Sequence, residues 1–87
     1  DVAFLGTNGL TVLHGLSTPD PDEAAVKRAM VRSARRKVVL ADSSKIGATL
    51  LISFAGLNEV DVLVTDAGLP EADQQQLVNA GLEVVVA

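Results

Sequence analysis

Cysteine, tryptophan and tyrosine are absent from these 87 residues, and only two phenylalanines, three prolines, one methionine and one histidine occur. Without cysteine there is no disulfide, no thiolate metal site and no cysteine nucleophile. The shortage of aromatics removes any platform on which a base or sugar ring could stack. The core must therefore be aliphatic, built from the plentiful Val, Leu and Ala. An excess of positive charge is missing as well. The net charge is −4, with Asp and Glu spread along the chain. That argues against duplex DNA or an anionic membrane as the direct partner of these residues. No apolar run approaches the ~20 residues of a membrane span, and no signal peptide is visible. A cytoplasmic location is expected.

What is present is enough for one domain or part of one. A chain of this size buries only ~60–65% of its unfolded surface. It starts on Asp1 and runs at once into a strand, which leads us to expect a piece of a longer protein. Val2–Leu5 reads as a buried strand closed by Gly6-Thr7-Asn8-Gly9, a turn expected to need positive φ. Leu10–Leu16 is ambiguous and leads to a loop at Gly15 and Thr18-Pro19. A helix follows, with Asp20 as N-cap, Pro21 at N1 and Glu23 at N3. Its spacing groups Val26, Ala29, Met30 and Ser33 on one face and sends Lys27, Arg28 and Arg32 elsewhere. The basic run Lys27–Lys37 reads as a solvated face, because no aromatic is interleaved.

Lys37–Ala41 is the second strand, followed by Asp42-Ser43-Ser44-Lys45 and Gly47. Ala48–Leu57 is apolar and fits one or two turns of helix. Val60–Thr65 is the third strand, ending in Asp66-Ala67-Gly68. A last helix opens at Pro70 and closes at Gly81 as its C′ residue, and Glu83–Val86 is the final strand. Apolar strands alternating with helices predict a three-layer α/β fold, a mostly parallel sheet with helices on both faces.

Parallel strands would bring three loops to one edge: Gly6–Gly9, Asp42–Gly47 and Thr65–Gly68. Ligands of open α/β sheets bind beyond the carboxyl ends of the strands. Ser43, Ser44 and Lys45 offer two hydroxyls and a point charge suited to a phosphate, and Lys45 is the one cation expected at these strand ends. Asp42 either orients Lys45 or a ligand hydroxyl, or caps its own turn. The glycine turn presents N–H groups to an anion or is a plain connection. It is not a dinucleotide fingerprint, since Gly-x-Gly-x-x-Gly is absent. Ser17 and Thr18 either donate to a ligand or serve a loop before the helix. Asp66 invites comparison with a receiver phosphoacceptor, but the acidic pair that holds the metal in receivers is missing. His14 has no His, Asp or Glu cluster at ligand spacing, so a structural or surface role is expected, and no metal or cofactor.

The segments Asp1–Gly9, Gly15–Thr18, Glu23–Met30, Leu40–Gly47 and Val60–Asp66, in this order, resemble the C-terminal effector-sensing domain of bacterial DeoR-type transcriptional regulators. That resemblance implies a fold like ribose-phosphate isomerase and a phosphorylated sugar or related metabolite as effector. It implies ligand contacts from Gly6, Thr7, Asn8, Asp42, Ser43, Ser44 and Lys45. Operator DNA would be bound only by an N-terminal helix-turn-helix outside this chain. The first part of the sensing domain, with its glycine-rich loop, would also lie outside. A homo-oligomer is expected. The related isomerases carry an acidic segment where this chain has Leu5-Gly6-Thr7-Asn8-Gly9, and proton transfer needs a positioned base. A sensor rather than an enzyme is therefore expected. The alternative is a fragment of a sugar-phosphate isomerase or related transferase, and the blandest option is a structural module without a ligand.

Overall fold

The computed structural model describes residues 1–87. The elements are β1 (Val2–Gly6), β2 (Gly9–Thr11), β3 (Gly15–Thr18), α1 (Pro21–Ser33), β4 (Arg36–Leu40), β5 (Ile52–Ala55), β6 (Val62–Thr65), α2 (Glu71–Asn79) and β7 (Glu83–Val86). Single 3₁₀ turns stand at Ser43–Lys45 and Leu57–Glu59. The fold is α/β. Strands β1, β4, β6 and β7 lie side by side in that order, every neighbouring pair parallel. A second, antiparallel sheet has the order β2-β3-β5.

Helix α1 forms where its start signals place it. The Asp20 carboxylate accepts from the N–H of Asp22 at 2.9 Å and of Glu23 at 3.4 Å, which satisfies donors a helix leaves open. Its buried residues are Ala24 and Val31, however, while Val26 and Met30 are exposed. The expected apolar face is thus corrected. Two cations on the buried side, Lys27 and Arg28, find acceptors there, so the helix turns them inward. Helix α2 ends in a Schellman motif. Leu82 N–H donates to Leu77 O at 3.1 Å and Gly81 N–H to Val78 O at 3.0 Å. Gly81 takes φ +99°, a conformation costly for any residue with a Cβ.

Three further expectations are corrected. Ala48–Leu57 holds strand β5 and the start of a 3₁₀ turn, not helix. An apolar run this short has no decisive periodicity, and the free edge of β3 recruits it. Ser17 and Thr18 sit inside β3, both fully buried, rather than in a loop over a ligand. The Ser17 hydroxyl accepts from Leu50 N–H at 2.9 Å, and that of Thr18 from Asp20 N–H at 3.3 Å. Gly6 and Gly9 do not take positive φ. Gly9 is needed for close approach, since a Cβ there would lie 2.4 Å from Ala48 O.

Strand register places Ala3, Leu5, Val39 and Leu63 on one face of the parallel sheet and Val2, Phe4, Val38, Leu40 and Val64 on the other. Leu5, Val39 and Leu63 join one core with Ala24 and Val31 of α1 and Leu77 of α2. Both helices therefore cover the same face. On the opposite face Phe4 is 62% exposed and Val2 and Leu40 about half exposed. These residues form no helix layer there.

Candidate functional site

Because β1, β4 and β6 are parallel neighbours, their carboxyl ends meet at one edge. The three loops expected to share an edge do so. Gly6 ends β1 in register with Leu40, two residues before Asp42.

Asp42 caps the turn it opens. Its carboxylate accepts from Ser44 N–H at 2.9 Å and from the Ser44 hydroxyl. Those two bonds, that of the hydroxyl foremost, hold its carboxyl below the usual carboxylate range. Asp66, at the end of β6, reaches across to the same loop. It accepts from Ser43 N–H at 2.6 Å, from the Ser43 hydroxyl at 2.9 Å and from Gly68 N–H at 2.8 Å. The Ser43 and Gly68 N–H groups are the main reason that its carboxyl is held down as well. Both serine hydroxyl protons are therefore directed at carboxylates of the chain. Lys45 is half-buried and forms no ion pair.

On the β1 side, the Thr7 side chain is buried, its hydroxyl 2.7 Å from Gly9 O and 3.2 Å from Ser17 O. Asn8 is exposed, and its N–H donates to Ser17 O at 3.3 Å. Gly6 is exposed, with nothing near the position a Cβ would take. A second cation stands here, so Lys45 is not the one cation of the strand ends. Lys27 Nζ from α1 donates to Gly6 O at 2.7 Å and lies 2.6 Å from a Glu23 carboxylate oxygen. Sequence reasoning placed Lys27 in solvent because nothing local marks its acceptor, which lies 21 residues away. It also left Asp66 out of the site, although the position after β6 was the available signal.

The edge is open, and the cavities lie beside it or elsewhere. One of about 220 Å³ runs between β2, the segment Ile46-Gly47 and α2, lined by Leu10, Val12, Asp73, Gln76 and Leu77. A cleft of about 250 Å³ is lined by His14, Arg28, Phe54, Gly56 and Glu59. Its two charged residues are already paired with each other. Glu59 accepts from Arg28 at 2.7 Å and from Gly56 N–H at 2.8 Å. Arg28 foremost holds the Glu59 carboxyl low, and the same bond raises the Arg28 guanidinium. His14 is exposed.

Residues 1–67, which contain the first two loops and the third as far as Ala67, match the family model described as the DeoR C terminal sensor domain. The chain belongs to the DeoR C-terminal sensor family. Within that family it is 44% identical over 85 residues to the HTH-type transcriptional regulator GlpR of Haloferax volcanii, covering 98% of this chain and 33% of that protein. It is 36% identical over 86 residues to the HTH-type transcriptional repressor GlcR of Bacillus subtilis, covering 99% and 33%. Against the putative aga operon transcriptional repressor of Escherichia coli O157:H7 the identity is 34% over 86 residues, covering 99% and 32%. The chain spans about a third of the length of these curated relatives. It is a sensor domain of the kind carried by DeoR-type transcriptional regulators. No helix is long and apolar enough to cross a membrane.

Proposed function

We propose that this sensor-family chain binds a phosphorylated sugar at the edge shared by β1, β4 and β6, within a longer protein that represses or regulates transcription. The observation that carries the reading is that the family match takes in the first two loops and reaches Ala67 in the third, loops which the parallel sheet sets side by side. Lys45, free of any ion pair, neutralises the phosphate. Ser43 and Ser44 turn their protons from Asp66 and Asp42 to the phosphate oxygens. The carboxylates so released accept sugar hydroxyls. Gly6, Thr7 and Asn8 supply backbone contacts and the Asn8 side chain. The buried Thr7 hydroxyl keeps its own partners.

In this reading the 87 residues are part of one effector-sensing domain. Its bare sheet face is covered by a further helix layer, as in the sugar-phosphate isomerase-like fold. A helix-turn-helix elsewhere in the protein holds operator DNA, and the whole works as a cytoplasmic homo-oligomer. The chain is not an enzyme. Leu5, Gly6 and Gly9 do not titrate, and neither does Asn8, so the β1 turn has no base for proton transfer between sugar carbons. Effector binding changes the hold on DNA only through unequal affinity for two states of the protein.

Calorimetric titration of the full-length protein with three- to six-carbon sugar monophosphates tests the reading. One of them should bind, and Lys45→Ala should weaken it roughly 10- to 100-fold, as expected for a hydrogen bond to a charged group. If none binds, or if Lys45→Ala binds as well as the wild type, the reading fails.

A further inference from the structure

The three loops of the edge are by themselves short of positive charge. Asp42 and Asp66 both face the Ser43–Lys45 turn, and within the three loops Lys45 is the one cation. A phosphate monoester, which carries about two negative charges near neutral pH, would meet two carboxylates and one ammonium. Lys27 supplies what is missing. It comes from α1, a different element, yet its ammonium ends on the last carbonyl of β1. That carbonyl belongs to Gly6, the register partner of Leu40. One strand spacing, about 4.8 Å, separates β1 from the strand that leads into Asp42.

Three contacts hold Lys27 in this position. They are the Gly6 carbonyl at 2.7 Å, Glu23 at 2.6 Å and the Phe54 ring, whose centroid lies 5.5 Å from the ammonium. Its side chain is only 16% exposed. A lysine so confined has already lost most of the rotamer freedom that binding an anion would cost it. Gly6 itself is exposed with open space around it, so an anion can approach from that side. A confined cation thus stands at the sheet edge, where it suits an anionic oxygen.

We propose that Lys27 is the second cation of the effector site. In the unliganded chain it rests on Gly6 O and Glu23, and on binding it turns its ammonium to the phosphate. This rests on the proposed sugar-phosphate reading. It adds a residue on α1, so that ligand binding pulls on a helix as well as on loops.

The test uses the full-length protein and the sugar monophosphate that binds best in the titration above, with inorganic phosphate as a second probe. Lys27→Met should weaken both probes, the sugar phosphate roughly 10- to 100-fold. Lys27→Arg should recover much of that loss. The penalty of Lys27→Met should shrink as salt rises, because a direct charge contact is screened. Glu23→Gln frees Lys27 from its competing carboxylate and should leave binding unchanged or tighter. Melting temperatures are read for all three variants. The proposal is overturned if Lys27→Met binds like the wild type. It is also overturned if Glu23→Gln weakens binding as much as Lys27→Met does, because Lys27 is then only a tie between α1 and β1. If the wild type binds no probe, the sugar-phosphate reading falls first and takes this one with it. If the wild type binds and Lys27→Met is silent, only this one falls.

Discussion

At the scale of the residue, three carboxylates do most of the local organising. Asp42 and Asp66 shape the Ser43–Lys45 turn, and Glu59 ties the Gly56–Glu59 segment to α1 through Arg28. All three are held below their ordinary carboxyl values by the hydrogen bonds they accept. In the unfolded chain these groups protonate around pH 4, and in the folded chain only at lower pH. Between those limits the unfolded state binds more protons, so stability rises with pH. It is complete above the unfolded values and is lost as pH falls through the folded ones. The urea midpoint should therefore stay level from pH 7 to about 5 and drop below about pH 4. Asp66→Asn keeps the shape but gives up acceptor capacity. It should lower the midpoint at pH 7 and flatten the acid drop, and an unchanged midpoint would show that the Ser43 and Gly68 bonds contribute nothing. The residue types of this turn were readable because Asp42 to Lys45 are contiguous. Asp66 and Lys27 were not, since each meets the turn or its neighbouring strand only through a long-range contact.

At the scale of the element, the helices owe their limits to local chemistry and the second sheet does not. Asp20→Ala should destabilise by about 1 kcal/mol, the usual cost of losing an N-cap, as measured by urea unfolding. Gly15→Ala should do more harm, about 2–4 kcal/mol. Gly15 has φ +72°, and an added Cβ would lie 2.1 Å from Ala55 O. If the two substitutions cost the same, the close approach of β3 to β5 is not as described. The caps were legible because Asp20, Pro21 and Gly81 act on backbone groups within a few residues. Strand β5 was not legible. Ile52-Ser53-Phe54-Ala55 is compatible with strand or helix, and pairing with β3, more than 30 residues earlier, decides between them. The inner face of α1 was misjudged for a related reason. Lys27 and Arg28 look like solvent residues until the carbonyls of Gly6 and Phe54 and the Glu59 carboxylate stand opposite them.

For the whole molecule, the uneven covering of the parallel sheet matters most. Parallel sheets are normally buried on both faces, yet here both helices share one face and Phe4 is 62% exposed on the other. If a further layer covers that face in the longer protein, one substitution will behave differently in two contexts. Phe4→Ala should change the stability of the 87-residue chain by under about 1 kcal/mol, as for a surface site. In the full-length protein it should cost about 3–5 kcal/mol, the usual loss for a buried Phe. Equal small effects in both would argue that the face stays bare. The sequence by itself determined the aliphatic core, the strands of the parallel sheet, the two α-helices with their caps and the residue types of the edge loops. These depend on composition, periodicity and contacts within a few residues. Only the tertiary structure decided the antiparallel second sheet, the one-sided covering, the hold of Asp66 on Ser43 and the arrival of Lys27 at β1. Each of these joins groups far apart in the chain, and the pairing of a donor with a distant acceptor leaves no mark on either residue alone.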